Sequence, residues 1–152
     1  MSQTSSVTVD ALRSMPIFES LSIERLVPIA RVAVFRKMPR NATILRAGDR
    51  TDFVYFILSG VLKVLVSDEE GREVILSNLG AGEFFGEMEL LRSGKAIANV
   101  RAGSKPVEVI ALPRTDFVRV MNESPITAEA VAKIVQKRLE AHRIPDHRAA
   151  DR

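Results

Sequence analysis

The stretch Ala81-Gly82-Glu83-Phe84-Phe85-Gly86-Glu87-Met88-Glu89-Leu90-Leu91-Arg92-Ser93-Gly94 leads two glycines and two aromatics into a segment with helical spacing. Gly82 and Gly86 reach backbone angles closed to other residues, so the chain can turn sharply into Glu87. From Glu87 to Arg92 the residues are good helix formers, with Met88 and Leu91 three apart on one side. A short helix entered through glycine leaves its first N–H groups without internal partners, a natural place to hold an anion. A hairpin corner carrying one helical turn is the alternative, since glycine corners are common. The flanking sequence bears on the choice.

The 152 residues suffice for one domain with a sizeable core, and 46% hydrophobic content fits a globular protein. No apolar run approaches the roughly 18 residues that cross a bilayer, and the N-terminus lacks a signal peptide's basic-then-apolar order. Membrane insertion is therefore not expected. There are no cysteines, which excludes disulfides, thiolate catalysis and cysteine-bound zinc and points to an intracellular, cytoplasmic location. The formal charge of +3 permits nucleic-acid contact without arguing for it, because the lysines and arginines are scattered. The two histidines, His142 and His147, lie near the end, so a histidine-centred active site is not expected.

Taken in order, residues 1–10 read as a polar, flexible lead. Leu12, Met15, Ile17 and Phe18 mark a short amphipathic turn interrupted by Pro16. Ser22 caps a helix carrying Leu26, Ile29 and Ala30, which Pro28 is expected to hold to about two turns. From Val32 the period becomes two. Val32–Lys37, Thr43–Leu45, Phe53–Leu58, Val61–Val66, Glu73–Leu76, Ala96–Ala102 and Val107–Leu112 read as strands. Phe53–Leu58 is continuous, as a strand buried on both faces should be. Six to eight short strands with regular turn signals indicate an antiparallel sandwich or barrel. Val61, Val64, Ile75, Leu90 and Ile97 read as core or pocket wall. After Pro113, Thr115 caps a helix bearing Phe117, Val118, Val120 and Met121. Ser124-Pro125 opens a second helix whose apolar stripe is Ala128, Val131, Ile134, Val135 and Leu139. Its basic residues read as a solvated face, and 144–152 is a polar tail.

This order resembles the cyclic-nucleotide-binding domain of catabolite-activator/FNR-type regulators and of kinase and channel regulatory subunits. The resemblance is carried by Leu12-Arg13-Ser14-Met15-Pro16-Ile17-Phe18, Leu45-Arg46-Ala47-Gly48-Asp49, Tyr55–Val64, Gly82–Met88 and Asn99-Val100-Arg101-Ala102. It implies a mainly β fold with flanking helices: an eight-stranded antiparallel β-roll (double-stranded jelly roll) with N-terminal helices, a short cassette helix and two C-terminal helices. The domain is expected over 11–143. A cupin-like metal roll has similar architecture, but no histidines stand on the strands to ligate a metal.

The resemblance makes Gly86 onward a phosphate-binding cassette. Amides at Glu87, Met88 and Glu89 would hold the cyclic phosphate, with Leu90 beside them, and Glu87 would accept the ribose 2′-hydroxyl proton. The family then places an arginine and a serine or threonine, where this chain has Ala96 and Ile97, followed by Ala98. Glu89 also stands where the family has alanine or glycine. A desolvated phosphate without a cation costs on the order of several kcal/mol. Lys95, one residue before the vacant position, is a candidate substitute, as are Arg92 and Arg101, although lysine offers a point charge and no bidentate fork.

These readings imply a stand-alone sensor that binds cyclic AMP or cyclic GMP weakly, or a cyclic dinucleotide, and signals through the C-terminal helices. A ligand-free interaction module, with Glu87 capping an empty pocket, is the alternative. The expected partner is another protein or a second copy of the chain, through the last helix. Fewer than ten residues follow Arg143, too few for a helix-turn-helix domain, so direct DNA binding is not expected. Enzymatic activity and a bound metal are not expected either, because no nucleophile–histidine pairing or metal-ligand cluster appears.

Overall fold

The structure, a computed structural model, describes residues 7–86, 96 and 98–141. Helix α1 (Val9–Arg13) is capped by Thr8, whose hydroxyl accepts from the amide of Ala11, and Val7 is buried. One cap and one buried valine seat this segment against the core. A 3-10 turn, Pro16–Phe18, leads to α2 (Ile23–Val32). Ser22 caps α2, as expected. Its ten residues exceed the expected two turns, because Pro28 sits within the helix without ending it. The missing N–H forfeits one bond at Glu24, while the buried face of Leu26 and Ile29 holds the helix together. Val32 is accordingly the end of a helix and not the start of a strand.

Eight strands follow: β1 (Val34–Met38), β2 (Thr43–Leu45), β3 (Phe53–Ser59), β4 (Leu62–Ser67), β5 (Glu73–Leu79), β6 (Phe84–Phe85), β7 (Asn99–Ala102) and β8 (Val107–Pro113). They form two four-stranded antiparallel sheets, ordered β1-β8-β3-β6 and β2-β7-β4-β5. The β-roll is thus the observed fold. Strand β6 was not legible as a strand, being two residues paired with Tyr55 and Phe56. Helix α3 (Arg114–Glu123) starts one residue before Thr115, with Pro113 at the cap position, so Thr115 does not cap it. Helix α4 (Pro125–Ala141) follows Ser124, whose Oγ accepts from the Thr127 amide and donates to the Thr127 hydroxyl.

The two faces of β3 explain its unbroken apolar run. Val54 and Phe56, with Leu58 half-buried, pack into one core with Leu12, Phe18, Leu26, Phe117 and Val131. Tyr55 and Ile57, with Phe53 half-buried, face a second core containing Leu62, Leu79 and Val100 from the other sheet. Strand β8 divides alike: Ile110 and Leu112 join the helices, while Val107, Val109 and Ala111 lie between the sheets. Period-two geometry places alternate side chains on opposite faces, so a sheet with helices on one side and a sheet on the other must be apolar at every position. The rings of Phe18, Phe84 and Phe117 stand 5.0, 5.7 and 6.3 Å from that of Phe56, joining the N-terminal turn, β6 and α3 through one side chain.

Three expectations about burial are corrected. Val61 and Ile75 are 49% and 50% exposed, because Val61 rides the turn before β4 and β5 is the outer strand of its sheet. Leu139 is 43% exposed, and the inward seat at the end of α4 belongs to half-buried Arg138, one residue earlier. The basic residues of α4 are therefore not one solvated face: Lys133 and Lys137 are exposed, whereas Arg138 lies over the Phe84 ring. The cassette helix, Leu90 and Ile97 lie outside the described residues.

Candidate functional site

Strand β6 carries the chain into Gly86. Before it, the Gly82 amide donates to the Ile57 carbonyl and the Ile57 amide to the Glu83 carbonyl. The Glu83 carboxylate accepts from the Gly80 amide at 2.7 Å, closing the turn. Phe84 then faces the helical core and Phe85 the core between the sheets, where its ring stacks on Tyr55 at 4.8 Å and 10°. Gly86 has φ +101°, and a Cβ there would lie 2.7 Å from the Phe53 carbonyl oxygen. Both the angle and the space demand glycine.

Of the residues singled out by sequence, Gly86, Ala96, Ala98 and Arg101 are described; Glu87, Met88, Glu89, Leu90, Arg92, Lys95 and Ile97 lie outside the described residues. Ala96 is held by two backbone bonds: its amide donates to the Asp49 carbonyl and its carbonyl accepts from the Gly48 amide, each at 2.8 Å. Ala96 and Ala98 are both buried. Below them, Asn99 accepts from the Ala47 amide at 2.8 Å, and Asp49 accepts from the Arg46 amide at 3.1 Å. The Arg46–Asp49 loop and the start of β7 therefore brace one another. Gly86 and Ala96 meet the same run of chain, at Phe53 and Asp49 respectively, so residues 49–53 underlie both flanks of the 87–95 stretch.

Two polar groups here escaped the sequence reading. The hydroxyls of Thr51 and Ser77 are buried and have no hydrogen-bond partner among the described residues. Ser77 lies opposite Val64, which lies opposite Val100, a residue of the core between the sheets. Directly opposed residues share a face, so Ser77 points into the roll. Its only signal was a hydroxyl directly after the apolar run Val74-Ile75-Leu76. Thr51 is only 1% exposed and precedes β3 by two residues, in step with Phe53, Tyr55 and Ile57. A buried hydroxyl without a partner costs about 1–3 kcal/mol, so each needs a reason to be there.

The charges are distributed unevenly. Arg101 is not an open cation for a ligand, since it donates to Glu73 at 2.6 Å. Arg50 stands 3.7 Å from Asp52, both well exposed. Burial holds the Tyr55 phenol above its ordinary value of 10.0, so it is neutral near pH 7. Among the described residues no group of three histidine, cysteine, aspartate or glutamate side chains could hold a metal. No helix among them is long and apolar enough to cross a membrane.

Residues 35–124 match the family described as the cyclic nucleotide-binding domain. The chain belongs to that family. A cyclic nucleotide-gated potassium channel from Rhizobium etli is 33% identical over 125 residues, covering 82% of this chain and 33% of the channel. The cyclic AMP receptor protein of Thermus thermophilus is 30% identical over 128 residues, covering 84% of this chain and 59% of the receptor. The crystal structure of the Thermus thermophilus catabolite activator protein superposes with a TM-score of 0.71 at 30% identity, covering 82% of this chain and 58% of that one. The chain thus spans between a third and three fifths of the length of curated relatives it matches, 33% to 59%. As a cyclic nucleotide-binding domain, it has the expected β-roll, and the structure adds the Arg46–Asp49 brace against Asn99.

Proposed function

We propose that this cyclic nucleotide-binding domain is a regulatory sensor that takes cyclic AMP or cyclic GMP, weakly, or a cyclic dinucleotide, between its sheets and signals through α3 and α4. The observation that carries the reading is the Ser77 hydroxyl: buried, unpartnered among the described residues and facing the interior of the roll, it suits a hydrogen-bonding ligand. Gly86 and the small residues Ala96 and Ala98 support it by leaving the neighbouring backbone approachable. Glu87 to Leu90, Lys95 and Ile97 are proposed to complete the contacts, with Glu87 on the ribose and Lys95 offering its charge to the phosphate. The module is not an enzyme, needs no metal, and works in the cytoplasm as a domain of 11–143.

Output through α4 is supported by its packing. The helix contributes Val131 and Val135 to the core that also holds Phe84, and Arg138 covers the Phe84 ring. Pro16, Ile17, Gly82, Phe84, Ile134 and Lys137 line a cleft of about 460 Å³ where α4 meets β6 and the N-terminal turn, so a change at β6 would be felt by α4. The receiver is another protein or a second copy of the chain, meeting α4 where Leu139 and Ile126 are exposed. That exposure equally favours a ligand-free interaction module.

Isothermal titration with cyclic AMP, cyclic GMP and cyclic di-GMP, followed by amide chemical shifts, decides between the two. Heat and shifts at Gly86, Ala96 and Ser77 are expected with at least one. No heat and no shift with any of the three overturns the sensor reading and leaves the interaction module.

A further inference from the structure

The basic residues are not spread evenly over the folded surface. Strands β1 and β2 are outer strands of the two sheets and are joined by the turn 39–42, so both lie on one flank of the roll. Residues 31–50, which lead into that flank and run along it, carry Arg31, Arg36, Lys37, Arg40, Arg46 and Arg50 against one acid, Asp49. That surplus exceeds the formal charge of +3 on the whole chain. All six basic residues are exposed, and only Arg50 forms an ion pair among the described residues, with Asp52 at 3.7 Å. Lys37 stands opposite Glu108, whose carboxylate accepts from the Ser59 hydroxyl at 3.0 Å.

The backbone of this flank is open as well. Strand β1 pairs with β8 along one side, and no other backbone partner meets Val34–Met38 among the described residues. Its outward N–H and C=O groups form an unfilled ladder. A second copy of β1 does not suit that ladder, because antiparallel pairing would bring Arg36 and Lys37 against their own counterparts. Basic side chains on an outer strand reject like strands in this way and favour an acidic one. Neither a nucleic acid nor a lipid headgroup offers N–H and C=O groups at strand spacing.

We infer that β1 is a docking strand for an extended acidic segment of a partner protein, which lengthens the β1-β8-β3-β6 sheet by one strand. Backbone hydrogen bonds set the register of such a contact, and charge sets its selectivity. Arg36 and Lys37 lie on opposite faces of β1, so carboxylates on both faces of the added strand are met, with Arg40 beyond its end. The contact requires no nucleotide, so it stands or falls apart from the sensor reading.

The test titrates the full chain, without nucleotide, against a labelled peptide of about ten residues repeating glutamate-glutamate-threonine-threonine, a length within the range of natural strands. Binding is read by fluorescence anisotropy at low salt and by amide chemical shifts. Saturable binding with shifts at Val34–Met38 is expected, and Lys37→Glu combined with Arg40→Glu should weaken it about tenfold. Arg13→Glu combined with Lys133→Glu makes the same charge change on exposed residues elsewhere and should weaken it less than about threefold. A peptide with proline at the threonine positions keeps the charge but cannot complete the ladder, and should bind about tenfold more weakly. No binding of the first peptide overturns the inference. Equal binding of the proline peptide, or equal losses in the two charge variants, also overturns it, since either means attraction without strand addition. A DNA duplex or phosphatidylserine vesicles bound as tightly as the peptide would assign the flank to a different class of surface and overturn it as well.

Discussion

The guanidinium of Arg138 lies 4.8 Å from the centroid of the Phe84 ring. Phe84 is two residues before Gly86, and Arg138 stands in the last turn of α4, so one contact ties the C-terminal helix to the strand that leads into the site. Replacing Arg138 by leucine keeps an apolar stem over the ring and removes the charge. The expected loss is about 0.5–1 kcal/mol, a typical cation–π contribution at a partly exposed site. Urea denaturation reads the loss, and hydrogen exchange should speed up at the amides from Ile134 onward. Unchanged stability and exchange would show that the stem alone holds the helix.

Gly86→Ala is expected to destabilise the protein by about 2 kcal/mol or more, combining an unfavourable positive φ with a backbone clash at Phe53. Gly71 provides the control. Its φ is +81°, but a Cβ there meets nothing within 4 Å, so Gly71→Ala should cost only the conformational part, roughly 1 kcal/mol. Denaturation midpoints of the two variants test the difference. Similar midpoints would mean that the Phe53 carbonyl moves aside easily.

Burial raises the Tyr55 pKa above 10.0, with the Arg36 charge opposing and that of Asp52 adding. The folded state then holds this proton more tightly than the unfolded chain does, so stability from this group is complete below pH 10 and declines as pH rises through the folded pKa. Stability measured from pH 9 upward should fall more steeply in the parent than in Tyr55→Phe. Parallel curves would remove Tyr55 from the account. Ultraviolet titration of the sole tyrosine should show phenolate forming later than in the unfolded protein.

Two site assignments made from the sequence are directly testable. Glu87→Ala should weaken nucleotide binding by roughly 1–3 kcal/mol, the range for a charge-assisted hydrogen bond. Lys95→Ala should weaken it too, more at low than at high ionic strength, as a point charge on a phosphate requires. If calorimetry finds both variants indistinguishable from the parent, the ribose and phosphate contacts lie elsewhere.

The fold was largely legible because its strongest signals are local. Turn residues at regular intervals marked most strands, and the unbroken run Phe53–Leu58 announced a strand covered on both sides. Helix ends were read less well. Ser22 was a sound cap, yet α2 ran past Pro28, since burial of Leu26 and Ile29 outweighs one missing bond. Strand β6 was invisible because two residues show no period; only pairing with Tyr55 and Phe56 makes them a strand. Ile75 misled because an apolar side chain does not announce whether its strand lies at a sheet's edge or centre, and Val61 because it falls in the turn before β4.

By itself, then, the order of residues determined the alternation that builds two sheets and the turn signals that separate their strands. These follow from side-chain identity and short-range backbone geometry. Tertiary structure alone decided that Asp49 and Phe53 meet Ala96 and Gly86, that Ser77 faces inward, that Arg101 is bound to Glu73 and that Arg138 covers Phe84. Each of those contacts joins residues far apart along the chain. They exist only once the two sheets and the closing helices have brought distant segments within a few ångströms, where hydrogen bonds and ring contacts act.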